Sequence, residues 1–224
     1  MSLGSIAGST SNALSTVPVT GRDLGAADSG NYYVASTPTP GTGIISGTGI
    51  TLIQTAPLLI MFNAGLLNIY LCYLRLSTTV ASTGDVTNMN FTHSVDQGNR
   101  LGTASTGTQL VINNTNMQSG NKSGAQITYG AITSAGIATA NARNLGNDWP
   151  RVALINIVGD IYEWQYGSPY GHAVGSTPAT VCHFIRSAPA ICLQPQSSYL
   201  LNVFCATTFT TGFTAEVEMG FIEK

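Results

Sequence analysis

The residues that could carry acid–base or metal chemistry are few and far apart in this sequence. Its three histidines are His93, His172 and His183, and none of them lies at a metal-ligand spacing. His93 and Asp96 are three residues apart, so on a strand they would point to opposite faces. We therefore expect structural or surface histidines, and neither a metal nor a cofactor.

One close pair of acidic residues stands among aromatic residues, in the stretch GDIYEWQYG. Asp160 and Glu163 would have to face each other across a cleft to act as a glycosidase pair. Tyr162, Trp164 and Tyr166 alternate along the same stretch and would share one face of a strand, with Glu163 on the other. This row could form a sugar-binding platform, but we expect it to form core and a subunit contact.

Sequence motifs for catalysis are missing. There is no G-x-S-x-G, no Walker A loop and no G-x-G-x-x-G. Ten acidic and eight basic residues are dispersed along the chain, which we predict is not an enzyme. Four cysteines lie in apolar runs without C-x-x-C spacing, and they are predicted to be buried free thiols.

The proportion of charged residues is unusually low. Only 8% of residues are charged, where about 25% is usual for soluble domains. A surface of Ser, Thr, Asn, Gln and Gly repels itself weakly, which suits a protein packed against other subunits or an ordinary β protein with a neutral coat. Two lysines and six scattered arginines form no basic patch, so nucleic acid is not an expected partner.

The sequence carries no predicted targeting or membrane segment. Its start, MSLGSIAGSTSNALS, has neither a basic nor an apolar region of the kind that marks secretion. No run reaches about 18 apolar residues, the length needed for a membrane span. We expect the chain to fold in the cytoplasm.

The chain divides by composition into an arm and a strand-rich domain. Residues 1–48 are rich in Gly, Ser, Thr and Pro and are predicted to form an extended arm, in which GNYYVAS could make a short strand or a docking peptide. Residues 49–224 alternate apolar runs with turn residues and show no convincing helix, with at most one helical turn expected in NARNLGNDW. The predicted fold class is all-β: a jelly-roll-like two-sheet β-sandwich with an extended N-terminal arm. The strands that this pattern predicts are 50–55, 57–63, 67–77, 89–95, 109–113, 126–138, 151–158, 160–166, 179–186, 198–208 and 213–222. The last of them alternates cleanly, which predicts one apolar face of Phe213, Ala215, Val217, Met219 and Phe221 and one face in water.

The stretch LLNIYLCYLRL, from Leu66 to Leu76, is apolar on both faces of its predicted strand. One face can fill the sandwich core, and the other needs a second cover. With no helical layer expected, the candidate covers are the chain's own arm or a neighbouring subunit. This stretch therefore favours a protein that works in assemblies.

Three segments together resemble a known family. They are PLLIMFNAGLLNIYLCYLRL, VGDIYEWQYGSPYG and LQPQSSYLLNVFCATTFTTGFTAEVEMGFIEK, preceded by the Gly/Ser/Thr/Pro-rich arm. The pattern is similar to the cement or decoration proteins that coat the capsids of tailed bacteriophages. The resemblance implies a jelly-roll-like sandwich and a dimer or trimer that docks on the major capsid protein, with an arm over neighbouring subunits. It also implies location in the virion after assembly in the host cytoplasm, and no catalytic residues.

The expected interaction surface comes from the arm, the Leu66–Leu76 stretch and the aromatic row. Its residues are Tyr32, Tyr33, Tyr70, Leu74, Tyr162, Trp164 and Tyr166. Three other functions remain open: a jelly-roll major capsid protein of a small virus, a carbohydrate-binding fibre or adhesin head, and a trimeric jelly roll of the tumour-necrosis-factor or C1q kind. The missing secretion signal counts against the last of these.

Overall fold

The chain is almost entirely β-structure. The computed structural model describes residues 22–46, 51–83, 89–101, 107–130, 132–133, 135–151, 156–168, 181–205 and 211–224. Within these ranges it has one short helix, α1, at Arg22–Asp28. The strands are β1 Tyr32–Ser36, β2 Ile44–Ile45, β3 Leu59–Asn63, β4 Ile69–Val80, β5 Met89–Asp96, β6 Thr108–Gln109, β7 Val111–Asn114, β8 Ala125–Tyr129, β9 Arg143–Arg151, β10 Ile161–Tyr166, β11 His183–Ala188, β12 Cys192–Leu193, β13 Ser198–Phe204 and β14 Thr214–Glu223.

Two sheets pack against each other and confirm the predicted sandwich. The larger sheet has the order β11-β10-β4-β14-β1-β7, and β12 and β2 pair with β4 and β14. The smaller sheet has the order β6-β8-β3-β13-β5-β9. The sets β1-β14-β4-β10 and β3-β13-β5-β9 are wholly antiparallel, and they place the first and last strands side by side in a jelly-roll-like connectivity.

The core lies between the sheets and is built by alternation along the strands. On β14, as the sequence predicts, every second residue from Phe213 to Phe221 is buried. Phe91 of the smaller sheet contacts three aromatic rings of the opposite layer and its edge, with centroids 5.1–6.4 Å apart. These rings belong to Tyr162, Trp164 and Phe213; the Tyr162 ring is tilted to Phe91, and the other two meet it edge-on, an arrangement that aromatic pairs favour.

Part of the predicted arm belongs to the sandwich. β1 lies inside the larger sheet, between β14 and β7, and Tyr33 stacks on Phe221 with centroids 5.7 Å apart. The sandwich therefore begins well before residue 49, because YYVAS supplies a strand that completes the sheet. Residues 1–21 of the arm lie outside the described residues.

A β-bulge shifts the alternation along β4. The register passes from Leu71↔Phe221 to Tyr73↔Gly220, so Cys72 is an extra residue opposite β14. The core face of β4 therefore carries Ile69 and Leu71 before the bulge and Leu74 and Leu76 after it, which strict alternation does not predict.

Several predicted strand bounds need correction. NARNLGNDW, where we expect at most one helical turn, lies in edge strand β9, because pairing with β5 outweighs local preference. The strand predicted at 126–138 ends at Tyr129, because Gly130 has a φ of 118° that breaks the extended backbone. Residues 51–55 form no strand, and most of 151–158 lies outside the described residues or in the turn before β10.

Candidate functional site

Most of the predicted interaction surface lies in the core. Tyr33, Leu74, Tyr162, Trp164 and Tyr166 are all buried and offer no surface to a partner. The row on β10 points inward because its three aromatic rings fill the space between the sheets, while the residues between them face outward. The remaining two residues of that surface, Tyr32 and Tyr70, are half-buried on the outer face of the larger sheet.

The row ends in a buried polar network between the sheets. The Tyr199 hydroxyl lies 2.8 Å from His93 Nδ1 and 2.6 Å from the Tyr166 hydroxyl. A consistent arrangement has Tyr166 donating to Tyr199 and Tyr199 donating to the imidazole, which leaves the imidazole proton on Nε2. Burial raises the pKa of both tyrosines, so their hydroxyls keep their protons.

A buried carboxylate continues this network to the surface. Asp148 accepts a hydrogen bond from Trp164 Nε1 at 2.7 Å and pairs with the guanidinium of Arg186, which is half-exposed. His93 Nε2 lies 3.5 Å from Asp148 Oδ2, too far for a good hydrogen bond. Burial, aided by the positive charge of Arg186, lowers the pKa of His93 to about 3, so the imidazole is neutral at pH 7.

This network is a clasp between the two sheets. It joins β5, β9 and β13 of the smaller sheet to β10 and β11 of the larger one, at the edge where β9 and β11 end the sheets. The hydroxyls and the imidazole are enclosed by aromatic rings, with the Trp164 ring 5.0 Å from that of His93. The two tyrosine hydroxyls, His93 Nδ1 and the Asp148 carboxylate are hydrogen-bonded within the core, whereas His93 Nε2 has no hydrogen-bond partner in the described part of the chain. We assign the clasp the role of holding the two sheets together.

The outer face of β4 is covered within the same chain. Ala26 of α1 packs with Cys72 and Ile222, and the rings of three half-buried tyrosines close around them. The tyrosines are Tyr32, Tyr70 and Tyr73. One face of Ile69–Leu76 therefore lies in the core, and the other is covered around Cys72 by the chain's own N-terminal segment, while Arg75 stays partly exposed. Of the two candidate covers, the chain's own N-terminal segment supplies the one that the structure shows, so this stretch no longer favours an assembly.

Tyr73 lines a polar groove beside this cover. Its hydroxyl donates to Glu218 Oε1 at 2.6 Å, and Arg75 lies 3.6 Å from the other oxygen of that carboxylate. Burial and this hydrogen bond raise the pKa of Tyr73 far above its usual value. The groove of about 380 Å³ is lined in part by Asp23, Tyr73, Glu163 and Gln165. The amide of Gln165 donates to Glu163 at 2.9 Å, which fixes the carboxylate within the protein.

A fully buried ion pair, Asp96–Arg100, holds a loop over the smaller sheet. Arg100 bonds to Asp96 Oδ2 at 3.1 Å and to the carbonyls of Gln54 and Gly136 at 2.6 Å each. Burial alone would raise the pKa of Asp96, but hydrogen bonds from Thr139, the Gly98 amide and Arg100 together lower it. These contacts tie three segments together, so we assign this pair a structural role.

The other predicted chemical residues do not meet in a site. Asp160 is buried and bonds to the Tyr162 hydroxyl and to two backbone amides, whereas Glu163 lies on the outer face. His183 is exposed, and His172 lies outside the described residues. Among the residues that the structure describes, no three His, Cys, Asp or Glu side chains are grouped to bind a metal. No disulfide joins the four cysteines, all of which lie in the described residues, and three of them are buried as predicted. Cys192 is exposed because β12 is short and lies at the sheet margin.

Seven of the twelve large apolar side chains that are exposed in the described residues form two sets, one toward each end of the sandwich. We call Ile45, Val80, Val158 and Val181 the rim, since they lie where β4 ends and where β10, β11 and β14 begin. We call Leu66, Leu67 and Met117 the tip; they lie in the turn before β4 and in the loop after β7, at the opposite end. Sequence reasoning missed both sets, although aliphatic residues within turn segments such as VGD and NAGLL were a usable signal.

Comparison of the chain with protein-family models, with curated proteins and with solved structures gives no match. Within the described part of the chain, no helix has the length and hydrophobicity that crossing a bilayer requires.

Proposed function

We propose that the chain is a structural virion protein: a decoration protein that binds the major capsid protein and stabilises a bacteriophage capsid as an oligomer. The observation that carries this proposal is the scarcity of surface charge. Such a protein acts by adding contacts across the capsid lattice, and this depends on surface area and complementary shape. Ionisable side chains are not required for that task.

Burial makes the surface poorer in charge than the composition alone indicates. Among the charged side chains that the structure describes, five are buried: Asp96, Arg100, Asp148, Asp160 and Glu223. Each of them bonds to other groups inside the chain. The remaining surface repels copies of itself weakly, which favours close packing in an assembly.

The architecture is compatible with this role but does not decide it. Jelly-roll sandwiches occur in viral capsid proteins, in lectins and in cupins, so the fold leaves several functions open. A lectin-like role would use an exposed aromatic platform, and the row proposed for it is in the core, with Trp164 fully buried. The carbohydrate-binding hypothesis therefore loses the observation on which it depended.

Particle association tests the proposal directly. Virions from the source of the sequence would be purified on a density gradient, and the copy number of the chain would be measured by quantitative mass spectrometry. A decoration protein co-sediments at a fixed ratio to the main shell protein and rebinds to stripped particles. Particles that lack the chain would refute the proposal.

The same measurement separates the second candidate, a jelly-roll major capsid protein of a small virus. The exposed rim and tip favour this candidate as well, because a shell former needs contacts between identical copies. In that case the chain would itself be the main shell protein, and the purified chain would assemble into closed particles.

A truncation tests whether the N-terminal arm contributes to capsid binding. Deletion of residues 1–21 removes no described element and should leave a folded sandwich that binds capsids more weakly. Deletion of residues 1–48 is unsuitable, because it removes β1 from the middle of the larger sheet. Capsid binding that is as tight without residues 1–21 as with them would exclude a role for that segment.

A further inference from the structure

A cleft opens between the two sheets at the end of the sandwich where β4 begins. On one side it is bounded by the end of β5 and the start of β9, where Val95 and Arg143 are register partners. On the other side lies β12, which pairs with the first residues of β4. The cleft has a volume of about 270 Å³. Pockets for drug-sized ligands begin at about 300 Å³, so this cleft suits a smaller molecule.

The lining of the cleft combines an apolar floor with polar walls. Val95 of the floor is half-buried against the core, and Leu193 is only 1% exposed. Three exposed amide side chains stand around this floor, those of Gln97, Asn141 and Gln194. Amide groups both donate and accept hydrogen bonds, whereas the floor offers apolar contact alone. This combination is typical of small-ligand sites, in which apolar surface supplies contact area and a few polar groups fix the orientation.

Arg143 supplies the positive charge of the cleft. Its side chain is exposed and forms no ion pair with any residue that the structure describes. Arg75 and Arg186, by contrast, are each paired with a carboxylate. A guanidinium presents parallel N–H donors that match the two oxygens of a carboxylate. Arg143 can therefore bind a carboxylate from outside the chain without giving up a partner within it.

The one acidic side chain in the described lining does not oppose such a ligand. Asp96 is buried, and its ion pair with Arg100 balances its charge. Its carboxylate also accepts hydrogen bonds from the Gly98 amide and from the amide and hydroxyl of Thr139. Because this carboxylate is already neutralised within the chain, the positive charge of Arg143 determines which ligands the cleft attracts.

The wall of the cleft around Gln194 is held rigidly. In the described part of the chain, Gln196 is the one residue other than glycine with a positive φ, at 66°. Its amide donates to the Asn63 carbonyl at 2.8 Å, and this bond fixes the turn. Ser197 closes the turn by donating to the Gln194 carbonyl from its amide at 3.1 Å and from its hydroxyl at 2.6 Å. A wall held in this way loses little freedom when a ligand binds.

We propose that this cleft binds a small organic carboxylate. The carboxylate pairs with the guanidinium of Arg143, and the apolar part of the molecule lies on Val95 and Leu193. One ion pair at an exposed site contributes little, so we expect a dissociation constant on the order of millimolar. The inference goes beyond the proposed function and does not depend on it, so loss of capsid binding leaves its test unaffected.

The thiol of Cys192 provides the test, because this exposed group is part of the lining. It would be modified with dithiodipyridine, a neutral disulfide, in the presence of benzoate or of benzamide, which has the same ring without the charge. The thiolate attacks one sulfur of the reagent, the S–S bond breaks, and the departing pyridinethione reports the rate by its absorbance. At constant ionic strength, about 50 mM benzoate should slow the reaction of the parent at least about twofold, and benzamide should leave it nearly unchanged.

The decisive variant is Arg143→Gln, which removes the charge and keeps a hydrogen-bonding side chain in the cleft. Benzoate should no longer slow the reaction in this variant. Arg75→Gln is the matched control, because it makes the same change on the outer face of the larger sheet and should keep the effect of benzoate. The proposal is overturned if benzoate leaves the parent unaffected, acts no more strongly than benzamide, or acts equally in the parent and in Arg143→Gln.

Nuclear magnetic resonance tests the cleft without the thiol. Benzoate should shift the backbone amide signals of Gln194 and Ser197 in the parent and in Cys192→Ser, but not in Arg143→Gln. Shifts that appear elsewhere in the protein and spare these two amides would contradict the proposal. Thermal melting of all the variants checks that they are folded.

Discussion

The buried imidazole of His93 should make the protein lose stability in mild acid. Its pKa is about 3 in the folded state, against about 6.5 for an exposed histidine. The unfolded chain therefore binds a proton at pH values where the folded chain does not. The contribution of His93 to stability is complete above about pH 6.5 and is lost as the pH falls from about 6.5 towards 3.

The two pKa values set the size of this loss. Between pH 7 and pH 4.5, integration of the proton uptake gives a decrease of about 2.5 kcal/mol in the free energy of unfolding. Asp148, 3.5 Å from Nε2, would favour the protonated imidazole, but its charge is already balanced by Arg186. Burial therefore dominates, and the folded state resists protonation.

The test replaces His93 with asparagine and compares two pH values. In the His93→Asn variant the amide oxygen can accept the Tyr199 hydrogen bond that Nδ1 accepts in the parent, and the side chain does not titrate. Urea unfolding at pH 7 and pH 4.5 gives four free energies. Between pH 7 and pH 4.5 the free energy of unfolding of the parent should fall by about 2.5 kcal/mol more than that of the variant. The cavity left by the smaller side chain costs the same at both pH values and therefore cancels in this comparison.

A matched variant, His183→Asn, changes an exposed histidine and keeps His93. It should therefore retain the acid sensitivity that His93→Asn lacks. If the parent and His93→Asn lose equal stability between the two pH values, His93 takes up its proton in the folded state. The neutral imidazole assigned to the clasp would then be wrong. If nuclear magnetic resonance showed the His93 imidazole titrating near pH 6.5, this would refute the reasoning independently.

Three further predictions use stability and thiol chemistry. Arg100→Ala leaves the buried carboxylate of Asp96 without its cation and should lower the free energy of unfolding by about 3–5 kcal/mol. Arg75→Ala, which breaks an exposed ion pair, should lower it by less than about 1 kcal/mol. Urea titration measures both losses, and equal losses would contradict the structural role assigned to Arg100. Gly220→Ala places a Cβ 2.3 Å from the Tyr73 ring and should cost about 1–3 kcal/mol, measured in the same way; an unchanged stability would show that the ring moves aside freely. Cys192 is the exposed thiol and should react fastest with a thiol reagent in the folded protein. Cys192→Ser should remove this fast phase, and a fast phase that persists in the variant would contradict the prediction.

Apolar alternation along the chain was sufficient to predict the all-β class, the two-sheet sandwich and the inward face of β14. Alternation reports which side chains avoid water, and that property is local. The same alternation placed Tyr162, Trp164 and Tyr166 on one face of a strand, and the structure agrees. Whether that face meets the core or a partner depends on what lies opposite, and the sequence of β10 carries no record of it.

The tertiary structure decided the features that join distant segments. The clasp brings together His93, Asp148, Tyr166, Arg186 and Tyr199 from five strands in two sheets, and no spacing in the sequence relates them. The cover over β4 comes from α1, a seven-residue helix too short for periodicity to reveal. The rim and the tip exist because strand ends far apart in the chain stop at the same ends of the sandwich. Local apolar alternation therefore determined which side chains favour burial. Long-range strand pairing determined which of those side chains are buried and which stay exposed.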